Sequence, residues 1–227
     1  MPLHHTCAIL VAAGRSTRMG QNKLLLNLNG MPVLEYCIRQ FQQTASIDSI
    51  VIVTSPQLLP LVKSFSYSKI YAITEGGCSR QASVLCGLAA APSETSHIAI
   101  HDGARPFASP DLIDRIVEQA HISGAAAPVI PITSTVKQVD CSGNITGTID
   151  RERLKLVQTP QVFDLHRYRE ALDCAIRENQ DLTDDCQLFE QMGWPVTAVT
   201  GSEKNIKLTT PTDMIFAQII AKGGDLE

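Results

Sequence analysis

The sequence predicts an α/β domain with a mostly parallel central sheet and a protruding β-hairpin arm, and three observations carry that expectation. Short continuous apolar runs at residues 8–11, Ser49–Thr54, His97–Asp102 and 125–130 read as strands buried on both faces, as parallel sheets require. Stretches with apolar residues at helical spacing separate them, so strands and helices alternate. From Pro131 to Arg151 the texture changes to β-branched and polar residues around Ser142-Gly143-Asn144, a hairpin signature with few core-forming side chains.

Taken in order, the first strand ends in Ala12, Ala13 and Gly14, small residues that let backbone amides approach a ligand. Residues 24–28 and Asn29-Gly30 read as a short strand and turn. Pro32 fits the first position of a helix whose face carries Val33, Leu34, Cys37, Ile38 and Phe41. Ser49–Thr54 is a second strand and residues 69–73 a third, with a poorer helix opened by Pro56 between them. Gly76 and Gly77 break the chain before a helix carrying Val84, Leu85, Leu88 and Ala89. His97–Asp102 is the fourth strand, Pro110–Ser123 a helix, and residues 125–130 the fifth strand.

Beyond the ribbon, residues 156–163 bring the chain back as a strand, and Leu165–Arg177 is helical. Residues 181–185 read as a helix entry with Thr183 at the cap and carboxylates compensating the macrodipole. Residues 196–200 form a last strand, 205–208 a further extended piece, and Pro211 opens the closing helix. The expectation is one domain over 1–227, including an arm at 132–151. A two-stranded ribbon is marginal alone, so a second copy of the chain is the economical thing for it to pack on.

The chain has 227 residues and a formal net charge of −4. Without a basic tract, it is read as binding no nucleic acid, and its ligand should be small. Seven cysteines without a CxxC pair suggest neither a disulfide framework nor a zinc site, and His4, His5 and Cys7 read as a short tail followed by a buried strand cysteine. With no signal-peptide pattern and no apolar run of membrane-span length, a cytoplasmic protein away from membranes is expected.

The chemistry concentrates in two places. Small residues followed by Arg18 and Lys23 suit a polyphosphate at the carboxyl end of a strand. Arg80 and Ser83, in the first turns after the paired glycines, add anion or base contacts. Asp102, Gly103, Ala104 and Arg105 form the second anchor, in which Asp102 either meets a ribose hydroxyl or hydrated magnesium, or pairs with Arg105 to close a loop. Neither GxxxxGK[ST] nor GxGxxG is present. Two cations poised on phosphates then suit displacement at phosphorus, that is, nucleotidyl transfer in a Rossmann-like nucleotidyltransferase domain.

The series AAGRSTRM…K, GG…RQASVL.GL, HDGARP, P…TVK, TIDR, QTPQ.F, LTDD and NIKLT, in that order over nearly the whole chain, resembles the 2-C-methyl-D-erythritol 4-phosphate cytidylyltransferase family. The resemblance implies transfer of CMP from CTP to methylerythritol phosphate with release of pyrophosphate, and magnesium bound mainly by the triphosphate rather than by protein ligands. It implies a nucleotide site of Ala12, Ala13, Gly14, Arg18, Lys23, Gly77, Arg80, Ser83, Asp102 and Gly103. Arg18, Lys23, Asp102 and Lys207 would carry the chemistry. Arg105, Thr135, Arg151, Thr159, Thr183 and Lys207 would position the acceptor, with Thr135 and Arg151 brought by an arm that crosses a homodimer. The attacking phosphate is already anionic at neutral pH, so no general base is required, and His101 is read as structural.

Ser134 stands where the family usually has Asp, and Cys78 where an acidic residue is expected. The alternatives are a cytidylyltransferase for another polyol phosphate, such as ribitol 5-phosphate, and a non-catalytic nucleotide-binding module.

Overall fold

The alternation of apolar runs and amphipathic helices folds as the periodicity dictates. A computed structural model describes residues 4–14, 22–180 and 182–223. β1 (Thr6–Ala12) lies at the heart of the sheet, between β4 (Ser49–Thr54) and β6 (His97–Asp102), parallel to both. β5 (Ile70–Glu75) extends the parallel set beyond β4. On the other side β11 (Gln161–Asp164) runs antiparallel between β6 and β7 (Ala125–Pro131), while β12 (Thr197–Thr200) pairs parallel and β10 (Lys155–Val157) antiparallel with β7.

Both faces of this eight-stranded sheet are covered. Ala8, Leu10 and Ala12 of β1 join a core with α1 (Val33–Gln43), α4 (Pro110–Ser123) and Ala217 of α7 (Pro211–Ala221). Cys7 and Ile9 point the other way, to α3 (Arg80–Ala89), α5 (Leu165–Arg177) and α6 (Cys186–Gln191). That is why β1 is an unbroken apolar run. Gly87 lets α3 come close, since a Cβ there would lie 2.5 Å from Ile9 Cγ2.

Several expectations shift at their edges. Pro32 caps α1 instead of starting it, after pairing in the hairpin of β2 (Asn27–Leu28) and β3 (Met31–Pro32); Asn29 and Gly30 turn that hairpin with positive φ. Lys23–Leu25 is a 3₁₀ turn where a strand was expected. Residues 156–163 are not one strand: the β10 pairing ends at Val157↔Val129 and β11 resumes at Val162↔Ala126. Between them, Gln158 turns its side chain into the loop at 202–205, and the Thr159–Pro160 peptide is cis. The 205–208 segment forms no ladder, and Leu208 is fixed by its N–H to Ala104 O at 2.9 Å. The helix entry expected at Thr183 starts later. Asp185 occupies the cap of α6, and Asp184 accepts the Cys186 N–H at 2.7 Å. α7 opens as expected, with a capping box between Thr210 and Asp213.

The ribbon is β8 (Val136–Val139) and β9 (Ile145–Ile149), turned by Asp140, which accepts N–H bonds from Ser142 and Asn144 at 2.9 Å. It carries exposed Val139 and Ile145, 58% and 65% accessible. At the amino edge of the sheet, the rings of His4, His97 and His121 pack together. Burial pulls the His97 imidazole down to about 4, with His121 and His4 adding to it against Asp164.

Candidate active site

The parallel strands β1, β4, β5 and β6 all end at one edge, and the loops that leave them interlock through small residues. A Cβ on Gly76 would lie 2.3 Å from Ala13 Cβ and 2.8 Å from Ser83 Oγ, so the turn after β5 lies directly on the loop after β1. Gly103 donates its N–H to Val11 O at 2.9 Å, and a Cβ there would stand 3.2 Å from Ala12 Cβ. Ala12, Ala13, Gly103 and Ser83 thus come together at one edge. Ser79 caps α3 by accepting the Ala82 N–H, the buried Ser83 hydroxyl donates to Ser79 O, and Gly77 packs against Ala82.

Asp102, the last residue of β6, is the electrostatic centre. Its carboxylate faces Lys207 Nζ at 2.7 Å, Arg80 Nε at 3.6 Å and Arg105 Nε at 3.9 Å. Burial alone would raise this carboxyl, but Lys207, then Arg80 and Arg105, hold it down at about 2. The ion pair with Arg105 is therefore real but the longest of the three. Arg80 is shared: its Nη2 lies 2.6 Å from Asp185 Oδ2. Burial opposes the Arg80 charge, and Asp185 followed by Asp102 more than offsets that, so the guanidinium is held charged. The Arg105 guanidinium donates to Asn205 O at 2.8 Å, and its own pKa is lowered by burial against the pull of Asp102.

Behind this layer sits a second one. Thr159 Oγ1 accepts the Asp102 N–H at 3.1 Å and meets His101 Nδ1 at 3.0 Å, while His101 Nε2 donates to Arg105 O at 2.9 Å. His101 is fully buried, and burial moves its imidazole down to about 4, so it is neutral at neutral pH and structural, as the sequence suggested. Gln158 and Asn205 lock the 202–207 loop to residues 158–160, with Asn205 Nδ2 donating to Thr159 O at 2.9 Å. Tyr168 OH donates to Asp185 Oδ1 at 2.7 Å.

Of the residues singled out from sequence, Arg80, Asp102, Arg105, Thr159 and Lys207 meet in one cluster. Lys23 lies in its 3₁₀ turn behind the Asn22 cap, and Arg18 lies outside the described residues, as does Asp181. Thr183 is exposed, its N–H held by Gln187 Oε1 at 3.2 Å. Thr135 and Arg151 are exposed at the base of the ribbon, where Arg151 donates to Thr133 O.

Asp185, Tyr168, Gln158, Asn205 and Gln161, which donates to Asp184 at 2.6 Å, were missed. Gln158, Gln161 and Asn205 lie inside the quoted QTPQ and NIKLT motifs without having been given a role, Tyr168 lies in none, and the adjacent Asp pair was seen but its carboxylates divide their work. Asp184 supports the start of α6, whereas Asp185 forms no cap bond and serves Arg80.

The arrangement presents a cationic surplus beside small-residue loops at a strand edge, which suits a phosphorylated ligand undergoing displacement. The family model for 2-C-methyl-D-erythritol 4-phosphate cytidylyltransferase matches residues 6–222. The enzyme of that name from Dehalococcoides mccartyi is 41% identical over 96% of each chain, and the one from Desulforamulus reducens is 41% identical over 95% of each. Among solved structures, 4-diphosphocytidyl-2C-methyl-D-erythritol synthase from Anaerococcus prevotii superposes with a TM-score of 0.86 at 28% identity over 96% of each chain. The Thermus thermophilus 2-C-methyl-D-erythritol 4-phosphate cytidylyltransferase superposes at 0.77 and 32%, over 97% of this chain and 100% of that one.

Proposed function

The chain belongs to the 2-C-methyl-D-erythritol 4-phosphate cytidylyltransferase family, and from that premise we propose how its residues divide the work. The enzyme is a nucleotidyltransferase that transfers CMP from CTP to 2-C-methyl-D-erythritol 4-phosphate in isoprenoid biosynthesis. An acceptor phosphate oxygen attacks the α-phosphorus, and the bond to the β-phosphate oxygen breaks as pyrophosphate leaves.

The loop of Ala12, Ala13 and Gly14 holds the triphosphate, with Arg18 and Lys23 supplying charge, and Gly77, Arg80, Ser83, Gly103 and Asp102 complete the nucleotide site. Lys207, Arg105 and Thr183 are assigned to the acceptor, and Thr159 supports them from behind Asp102. The observation that supports this reading best is the Asp102 carboxylate, held ionised among Lys207, Arg80 and Arg105. It aligns three cations around the point where negative charge gathers in the transition state. No residue need take a proton, because a phosphate monoester is largely dianionic near neutrality.

The family is of a divalent-cation-dependent kind, and we assign magnesium as the ion. Asp102 and Asp185 are already engaged by cations, so the residues present fit an ion carried mainly on triphosphate oxygens, with the protein supplying the counter-charge. When bound, magnesium neutralises charge on the phosphates. Thr135 and Arg151 complete the acceptor site of a second copy in a homodimer, the 132–151 ribbon being an extension of one domain spanning 1–227. No helix among the described residues is long and apolar enough to cross a membrane, and we place the reaction in the cytoplasm.

Pyrophosphate release measured with CTP and magnesium against methylerythritol phosphate, ribitol 5-phosphate and no acceptor tests the reading. Release only with methylerythritol phosphate, and its loss when ATP replaces CTP, is the expected result. Release only with ribitol phosphate would reassign the acceptor site.

A further inference from the structure

At the sheet edge opposite Asp102, three imidazoles from separate elements converge. His4 precedes β1, His97 opens β6 and His121 lies in the last turn of α4, and a ligand nitrogen of each lies within 4.8 Å of the others. His4 and His121 stack with centroids 4.4 Å apart, while His97 stands edge-on to both, at 5.0 Å and 4.6 Å.

Hydrogen bonds orient two of the rings. The Ser96 hydroxyl meets His5 O at 3.3 Å and His97 Nδ1 at 3.2 Å; with its proton on His5 O, Nδ1 carries the ring proton and Nε2 keeps its lone pair. Thr6 Oγ1 meets Nε2 of His121 at 3.0 Å; with the ring proton on Nε2 donated to Thr6, Nδ1 is left as the donor atom for a metal. Metal-ligating histidines have their second ring nitrogen held by an oxygen partner, and here hydroxyl oxygens stand in that place. Two carboxylates act on the group from outside: Asp48 on His121 and Asp164 on His97. Asp48 is itself fixed by the Thr6 N–H at 2.8 Å.

We propose that His4, His97 and His121 form a binding site for a first-row divalent transition ion, zinc foremost, with a fourth position open to solvent. An all-imidazole donor set suits zinc and not the hard cations magnesium or calcium. Zinc–nitrogen bonds of about 2.0–2.1 Å place ligand nitrogens about 3.3 Å apart, so the three close inward around the ion. The exposed His4, outside the sheet, makes most of that movement. The ion clamps the segment before β1 onto β6 and α4. Its site is five residues, or about 17 Å of strand, from Asp102, so it is structural and takes no part in nucleotidyl transfer.

The test uses the full chain without a histidine tag, stripped of metal and titrated with zinc by calorimetry, with cobalt as a spectroscopic probe. We expect one equivalent of zinc, a raised melting temperature, and at least about tenfold weaker binding in both His4→Ala and His121→Asn. Magnesium-supported pyrophosphate release stays unchanged in His4→Ala, which shows that this variant folds. Substoichiometric zinc, equal affinity in wild type and His4→Ala, or a thiolate charge-transfer band in the cobalt adduct, pointing to exposed Cys78 or Cys141, would overturn the assignment.

Discussion

The cluster around Asp102 and the ribbon at 132–151 carry residues assigned to the same site, yet they are held in opposite ways. Asp102, Arg80 and Arg105 are fixed by ion pairs, by Thr159 and by buried His101, all anchored in β6 and its neighbours. Thr135 and Arg151 are exposed on an element held mainly by its own ladder and turn. The difference teaches that the Asp102 cluster is held together by contacts within one chain. The arm half has its side chains ready but nothing beneath them. A ribbon with exposed Val139, Ile145 and Ile149 is suited to lie on another surface, and the second copy proposed above would supply one.

The largest effect should come from the cluster. Asp102→Ala leaves Arg80, Arg105 and Lys207 without their shared carboxylate. Turnover should drop by about 10²–10³-fold, and stability by about 3–5 kcal/mol, since one partner of a buried network is removed. Steady-state pyrophosphate release and urea unfolding read the two losses; retained turnover would take Asp102 out of the site.

Arg151→Ala should lower turnover by about tenfold or more while changing stability by less than about 0.5 kcal/mol, because the residue is exposed. Mixing the two impaired variants breaks or confirms the comparison. If each arm serves the neighbouring body, equal mixing and random re-pairing restore about a quarter of wild-type activity, through heterodimers with one intact site. If the arm serves its own body, mixing restores none.

A pH-dependent effect, silent at neutral pH, concerns what holds the cluster from behind. His101 is buried neutral with a pKa of about 4 against an ordinary 6.5, so the unfolded chain binds the extra proton between these values. Stability should therefore be full above about pH 6.5 and fall as pH drops toward 4, by on the order of 3 kcal/mol from this residue, with His97 adding to it in the same sense. Urea midpoints from pH 7 to 4.5 should show a shallower slope in His101→Gln, and an unchanged slope would remove His101 as the source. The exposed arm at 132–151 carries no histidine, so Arg151→Ala should leave the slope as it is.

How much of this was legible depends on the range over which each contact acts. Strands such as Ser49–Thr54 and helices such as Pro110–Ser123 were readable to the residue, because apolar runs and a proline at a helix start are local signals. Asp102 and Arg105 announced themselves as polar residues just past a buried strand. Lys207 had no local signal, and the resemblance alone pointed to it. Asp185 was misread as a dipole compensator because its partner Arg80 lies more than a hundred residues earlier, and adjacency in sequence says nothing of that pairing. The split of residues 156–163 was equally hidden, since Gln158 leaves the strand to reach Ser202 and Asn205, which are remote in the chain.

The place of β11 has a consequence for synthesis. β7, β10 and β12 join the rest of the sheet through β11, so β6 has no neighbour on that side until residues 161–164 have been made. At ribosomal rates of about 5–20 residues per second, the interval from β6 to the end of β11 lasts roughly 3–12 s. For that time the nascent half-sheet of β5, β4, β1 and β6 shows an open, apolar edge at Ile98 and Ile100, which makes it the stage at which a chaperone or a stray strand would engage this chain.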